Sequence, residues 1–119
     1  MANVLLVDDS RTSRKILRNI LEEAGHTIVD EATDGEQAIE KFIASKPDVI
    51  TLDITMPVMD GIEALKQIKI VDSDAKVVMV SASSQKDKLI EAVKYGAEDF
   101  IAKPFEPDQI ITVLSKLTS

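Results

Sequence analysis

Five times along the chain a short strand-like run is followed by a stretch whose apolar residues recur at helical spacing. The runs are Asn3–Val7, His26–Ala32, Val49–Leu52, Lys76–Val80 and Asp99–Ala102. Strands alternating with helices predict a parallel sheet covered on both faces. Right-handed crossovers and an open sheet make the fold doubly wound, an α/β (βα)5 arrangement of the flavodoxin-like type. With five strands the expected order is 2-1-3-4-5.

Local signals place the helices. Ser10 is set to cap the first, and Ile16, Leu17, Ile20, Leu21 and Ala24 share one face before Gly25 ends it. The second strand is the most polar and is expected at an edge. Thr33-Asp34-Gly35 makes a turn and cap, followed by Ala38, Ile39, Phe42 and Ile43, and Pro47 stops that helix. Asp60 is expected to cap the third helix, with Ala64, Leu65, Ile68 and Val71 inward. Leu89, Ile90, Ala92 and Val93 give the fourth its apolar face, and Gly96 ends it. Pro107 opens the fifth, which carries Ile110, Ile111, Val113, Leu114 and Leu117.

The 119 residues fit one domain around one core, and no linker or low-complexity segment divides them. A single domain over 1–119, without an output domain, is expected. Cysteine is absent, which excludes disulfides, thiolate metal sites and a cysteine nucleophile, and fits a cytoplasmic location. The first apolar run, Val4–Val7, is too short for a signal peptide or a membrane span. A net charge of −7 repels nucleic-acid phosphates. The one basic cluster, Arg11, Arg14, Lys15 and Arg18, has the spacing of a solvated helix face.

The strand ends carry the chemistry. The first strand stops at Asp8-Asp9, the third at Asp53, the fourth at Ser81 and the fifth at Lys103-Pro104. In the expected order, strands 1, 3 and 4 are adjacent at ~4.8 Å spacing, so Asp8, Asp9, Asp53 and Ser81 converge on one sheet edge. Lys103 starts roughly 10 Å from Asp53, within reach of its long stem. This is the topological switch point, where open α/β sheets bind ligands.

Clustered carboxylates repel. One pair at about 4 Å costs ~4 kcal/mol at an effective dielectric of about 20, against a whole-domain stability of ~5–15 kcal/mol. Protons or a cation must offset that. Oxygen ligands without His or Cys select a hard ion such as Mg²⁺, with Asp9 and Asp53 as direct ligands and Asp8 acting through water. A hydroxyl and an ammonium complete a donor-rich cradle for a phosphoryl group, with Asp53 placed as its nucleophilic acceptor.

With these residues in place the chain resembles the receiver domains of two-component response regulators. The resemblance rests on Asp8-Asp9, on Asp53 followed by Met56-Pro57 and Asp60-Gly61, on Ser81-Ala82, and on Phe100 ahead of Lys103-Pro104-Phe105. It covers the whole chain and is similar to the single-domain members that serve chemotaxis. It implies that Asp53 takes a phosphoryl group from a histidine kinase. Asp8, Asp9, Asp53 and the backbone carbonyl of Thr55 would hold Mg²⁺, and Lys103 would contact the phosphoryl group. Ser81 and Phe100 would form a switch feeding an output surface on the fourth helix, fifth strand and fifth helix. The resemblance also implies a cis Lys103–Pro104 bond and self-catalysed phosphorylation and dephosphorylation in place of enzyme turnover. A cytoplasmic monomer would signal to a protein target, either a flagellar motor component or a histidine phosphotransfer protein. Thr55 and Ser83 would flank the path of attacking water.

Two positions vary within the pattern. Ser81 stands where threonine is frequent, and Phe100 where tyrosine is frequent in chemotaxis members. Phenylalanine donates no hydrogen bond, so switching would rest on packing. Three rival families share part of this pattern. An aspartyl-phosphate phosphatase would resemble Asp-x-Asp, but Thr55 fills that second position. A flavin carrier would need aromatics, which make up only 3% of the chain. A phosphorelay intermediate, passing phosphate to a histidine phosphotransfer protein, is separated from a chemotaxis effector only weakly.

Overall fold

The computed structural model describes residues 1–118. The strand-like runs form β1 (Asn3–Val7), β2 (Thr27–Ala32), β3 (Val49–Asp53), β4 (Val77–Ser81) and β5 (Asp99–Ala102). They pair in parallel in the order β2-β1-β3-β4-β5. Between and after them run α1 (Arg11–Glu23), α2 (Gly35–Ser45), α3 (Gly61–Val71), α4 (Lys86–Lys94) and α5 (Pro107–Thr118). A single 3-10 turn, Ser83–Gln85, precedes α4.

Side chains alternate across a strand, so β1 to β4 each feed two cores, whereas β5 adds Ile101 to one. Leu5, Val7, Leu52 and Met79 face Ala38, Phe42, Leu65, Ile68 and Ala92 of α2, α3 and α4. Val4, Leu6, Val49 and Val78 face Leu17 and Leu21 of α1 and Ile110 and Leu114 of α5. Each fully buried Leu or Ile stabilises the fold by about 1.5–3 kcal/mol. β3 and β4 are buried at every position, so the groups at their ends are held by the stiffest part of the sheet.

The caps fall where the sequence places them. Ser10 Oγ accepts from the Ser13 N–H at 3.2 Å, Asp34 from Gln37 at 2.8 Å and Asp60 from Glu63 at 2.9 Å. Each such cap contributes about 1 kcal/mol. Gly25 leaves α1 with φ +94°, a conformation that a side chain would strain.

Several apolar positions do not face a core. Ile16, Ile43 and Val71 lie at the surface, and on α4 both Ile90 (65% exposed) and Val93 (62%) point outward while Ala92 is buried. The basic cluster also differs from a purely solvated face. Arg14 and Arg18 both pair with Glu31 of β2, at 2.8 and 2.6 Å, fastening α1 to the edge strand. Burial acts to raise the Glu31 pKa, but these hydrogen bonds and charges outweigh it and hold the carboxylate below its ordinary range. Among the described residues no helix is long and apolar enough to cross a membrane.

Candidate functional site

The carboxyl edge of the sheet gathers the expected groups. Asp8 and Asp9 follow β1, Asp53 closes β3, Ser81 closes β4 and Lys103 follows β5. Asp8, Asp9 and Asp53 each offer a carboxylate oxygen within 4.8 Å of the others. Asp8 and Asp53 are buried, at 5% and 6% exposure, whereas Asp9 is open to solvent. Lys103 Nζ reaches back across β4 to Asp8 at 2.9 Å and Asp53 at 3.5 Å. The Lys103–Pro104 bond is cis.

Local structure fixes Asp8 on every side. Its N–H donates to the Ala32 carbonyl at 3.0 Å, and its Oδ1 accepts from the Ser10 N–H at 2.8 Å. Its backbone carbonyl accepts from Arg14 Nη1 at 2.7 Å, so the residue that fastens α1 to β2 also steadies the site. Asp53 is steadied by contact. The Gly61 N–H donates to the Ile54 carbonyl at 2.7 Å, and a Cβ on Gly61 would fall 2.0 Å from the Asp53 backbone oxygen. Only glycine allows α3 to start this close to the end of β3.

The electrostatics follow from this crowding. Burial, then the neighbouring Asp8 carboxylate, pushes Asp53 up to about 6, and Lys103 offsets only part of the rise. Burial pulls Lys103 down, but its hydrogen bond to Asp8 and the two carboxylate charges outweigh that, so its pKa is raised. One ammonium therefore faces a cluster of three carboxylates that still favours positive charge. The donor set is all oxygen, which suits a hard divalent cation, and Asp9 gives it a solvent-facing side.

Ser81 is buried, and its carbonyl accepts from the Lys103 N–H at 2.9 Å, locking the ends of β4 and β5 together. Beside it lies a cavity of ≈ 220 Å³ lined by Ser81, Leu89, Phe100 and Lys103 among others. Phe100 is 40% exposed at the edge of that cavity. Thr55 is exposed beyond Asp53, and its Oγ1 accepts from Gln85 Nε2 at 2.6 Å. Residue patterns single out neither Gln85 nor Arg14 for the site. A glutamine in a small-residue loop carries no spacing signal, and Arg14 reads as one more charge on an exposed helix face.

The response regulator receiver domain family matches residues 4–115. The chain is 46% identical to a chemotaxis protein CheY of Thermotoga maritima over 97% of its own length and 96% of that protein. It is 45% identical to a chemotaxis protein CheY of Bacillus subtilis, covering 95% and 94% of the two chains. Among solved structures, a chain of the CheX–CheY–BeF3–Mg²⁺ complex from Borrelia burgdorferi superposes with a TM-score of 0.91 at 39% identity, covering 98% of this chain and 90% of that one.

Proposed function

The chain belongs to the response regulator receiver domains, and from that premise we propose that Asp53 accepts a phosphoryl group from a histidine kinase and signals through protein–protein contacts in chemotaxis. The observation that carries this reading is the buried pairing of Lys103 with Asp8 and Asp53 beside the exposed Asp9. The chemotaxis assignment is supported by the CheY relatives, which match over nearly their full length.

Asp53 acts as the nucleophile. With a pKa near 6 it is mostly ionised at neutral pH and more basic than an ordinary carboxylate. One of its oxygens attacks phosphorus, the P–N bond of the donor's phosphohistidine breaks as the P–O bond forms, and the imidazole leaves. Asp8, Asp9 and Asp53, with the backbone carbonyl of Thr55, would hold Mg²⁺, which when bound neutralises charge on the phosphoryl oxygens. Lys103 supplies a second positive centre, moving from Asp8 toward the new phosphoryl oxygens. The reaction is self-catalysed on the protein's own side chain, in the cytoplasm, and hydrolysis by water ends the signal by breaking the Asp53 P–O bond and releasing inorganic phosphate.

The signal runs through Ser81 and Phe100. A phosphoryl group adds up to about two negative charges and three strong acceptor oxygens. The Ser81 hydroxyl turns toward them, and the Phe100 ring, half out of the fold, moves into the cavity beside Ser81. The exposed Ile90, Val93 and Phe100 then present a changed apolar surface to a target protein.

Intact-mass measurement with acetyl phosphate tests the reading. One phosphoryl group is expected to add in the presence of Mg²⁺, and none to Asp53→Asn. The same addition to Asp53→Asn would overturn it.

A further inference from the structure

Two residues with core spacing that stand outside the core meet on one face. Ile43, on the last turn of α2, is 52% exposed, and Val71, at the end of α3, is 51% exposed. Between them runs a groove of ≈ 390 Å³, lined by the buried Phe42 and by Ile43, Pro47 and Val71, with Lys46 and Asp72 at its polar ends. Ile70, next to Val71, is also exposed. Apolar surface gathered in this way is stabilised by a partner that covers it.

The groove opens into a polar cavity. Pro47 and Asp72 also line a space of ≈ 450 Å³ at the amino edge of the sheet, the edge opposite Asp53. The charged side chains of that space are Asp48, Asp72, Asp74 and Lys76. Lys76 Nζ is turned to the Leu117 carbonyl at 2.5 Å. Asp48 and Asp72 each use one carboxylate oxygen on a backbone N–H, that of Asn3 at 2.7 Å and that of Asp74 at 2.9 Å, and keep the other. All three aspartates are exposed, with acceptor sites left for a cationic group. On α2 the exposed Glu36 and Glu40 share the stripe of Ile43 and extend the negative charge along the groove.

We propose that this face is a docking site for a short segment of another protein, one that sets a large apolar side chain between Ile43 and Val71 and an adjacent Lys or Arg over Asp72 and Asp74. Charge selects this occupant. Nucleic acid or an anionic lipid surface would be repelled by the five carboxylates on this face. A second copy related by a two-fold axis would set the same carboxylates against one another. An apolar residue with a basic neighbour satisfies both the groove and the cavity beside it.

A library of random linear peptides, depleted on Val71→Glu and then selected on the wild-type chain, tests this. Peptides that remain are expected to carry a large apolar residue with a Lys or Arg within about four positions. A synthetic copy of a selected peptide is expected to bind Val71→Glu and Asp74→Lys about tenfold more weakly than wild type, and to weaken as salt rises. Both substitutions fall on exposed positions, and cooperative urea unfolding confirms that each variant folds. The peptide is expected to shift the amide resonances of Ile43, Val71 and Asp72. No peptide remaining after depletion, selected peptides without a basic residue, equal affinity for wild type and both variants, or shifts confined to α4 and β5 would overturn the proposal. So would a dimer of the wild-type chain in sedimentation that Val71→Glu abolishes, which would make this face an interface between copies.

Discussion

The ammonium of Lys103 is paired more closely with Asp8, at 2.9 Å, than with Asp53, at 3.5 Å. It neutralises the buried carboxylate that is not the proposed acceptor, and offsets only part of the rise that burial and Asp8 impose on Asp53. Lys103→Ala is expected to lower stability at neutral pH in metal-free buffer. The lysine side chain is 27% exposed, so the loss should be about 1–3 kcal/mol, below the ~3–5 kcal/mol of a fully buried pair. Mg²⁺ is expected to restore part of it, because a cation bound to the native site replaces the missing charge. Urea midpoints with and without Mg²⁺ measure this, and a deficit that ignores the metal would contradict it.

Asp53 gives the fold a pH dependence of definite sign. Its pKa rises from the ordinary 3.8 to about 6 on folding, so between those values the native state binds more protons than the unfolded chain. Stability therefore falls as pH rises through that window, and the loss is complete above it. Asp53→Asn removes the charge. In metal-free buffer at neutral pH it is expected to be about 1–3 kcal/mol more stable than wild type. The advantage should fade as pH falls below the unfolded value. Melting temperatures across that range test this, and a pH-independent difference would contradict it.

How far the sequence reveals the molecule depends on the kind of force involved. Strand order and the gathering of Asp8, Asp9, Asp53 and Lys103 were legible because alternating strand and helix patterns leave few doubly wound arrangements, and the common five-stranded order brings these strand ends together. The inward face of α4 was not. Ile90 and Val93 have core periodicity yet stand exposed, since spacing marks an apolar stripe without saying whether it meets the fold's own core or another protein. Arg14 and Gln85 escaped because their partners, the Asp8 carbonyl and the Thr55 hydroxyl, come from other elements.

Gly61 is a mechanical requirement of the site. Gly61→Ala would force a Cβ to 2.0 Å from the Asp53 backbone oxygen, and neither backbone can yield without moving the other. A loss of at least ~2 kcal/mol is expected, at the upper end of overpacking costs. Urea unfolding with an unchanged slope and a lower midpoint would report it. An unshifted midpoint would contradict the close approach of α3 to β3.

Ser81→Ala should separate chemistry from signalling. The carboxylates and Lys103 remain, so beryllofluoride with Mg²⁺ is expected to bind at Asp53. Amide resonances around Asp53 should shift as in wild type, whereas those of β5 around Phe100 should shift much less. Equal shifts at Phe100 in both proteins would show that the coupling bypasses Ser81.

The central claim is that Asp53, alone among the clustered carboxylates, becomes an acyl phosphate. Borohydride reduces an acyl phosphate to an alcohol, turning the acceptor aspartate into homoserine. After acetyl phosphate and Mg²⁺ treatment and borohydride trapping, peptide mapping is expected to find homoserine at position 53, with Asp8 and Asp9 unchanged. Homoserine at position 8 or 9, or its absence from position 53 in a protein whose intact mass shows phosphorylation, would contradict the account.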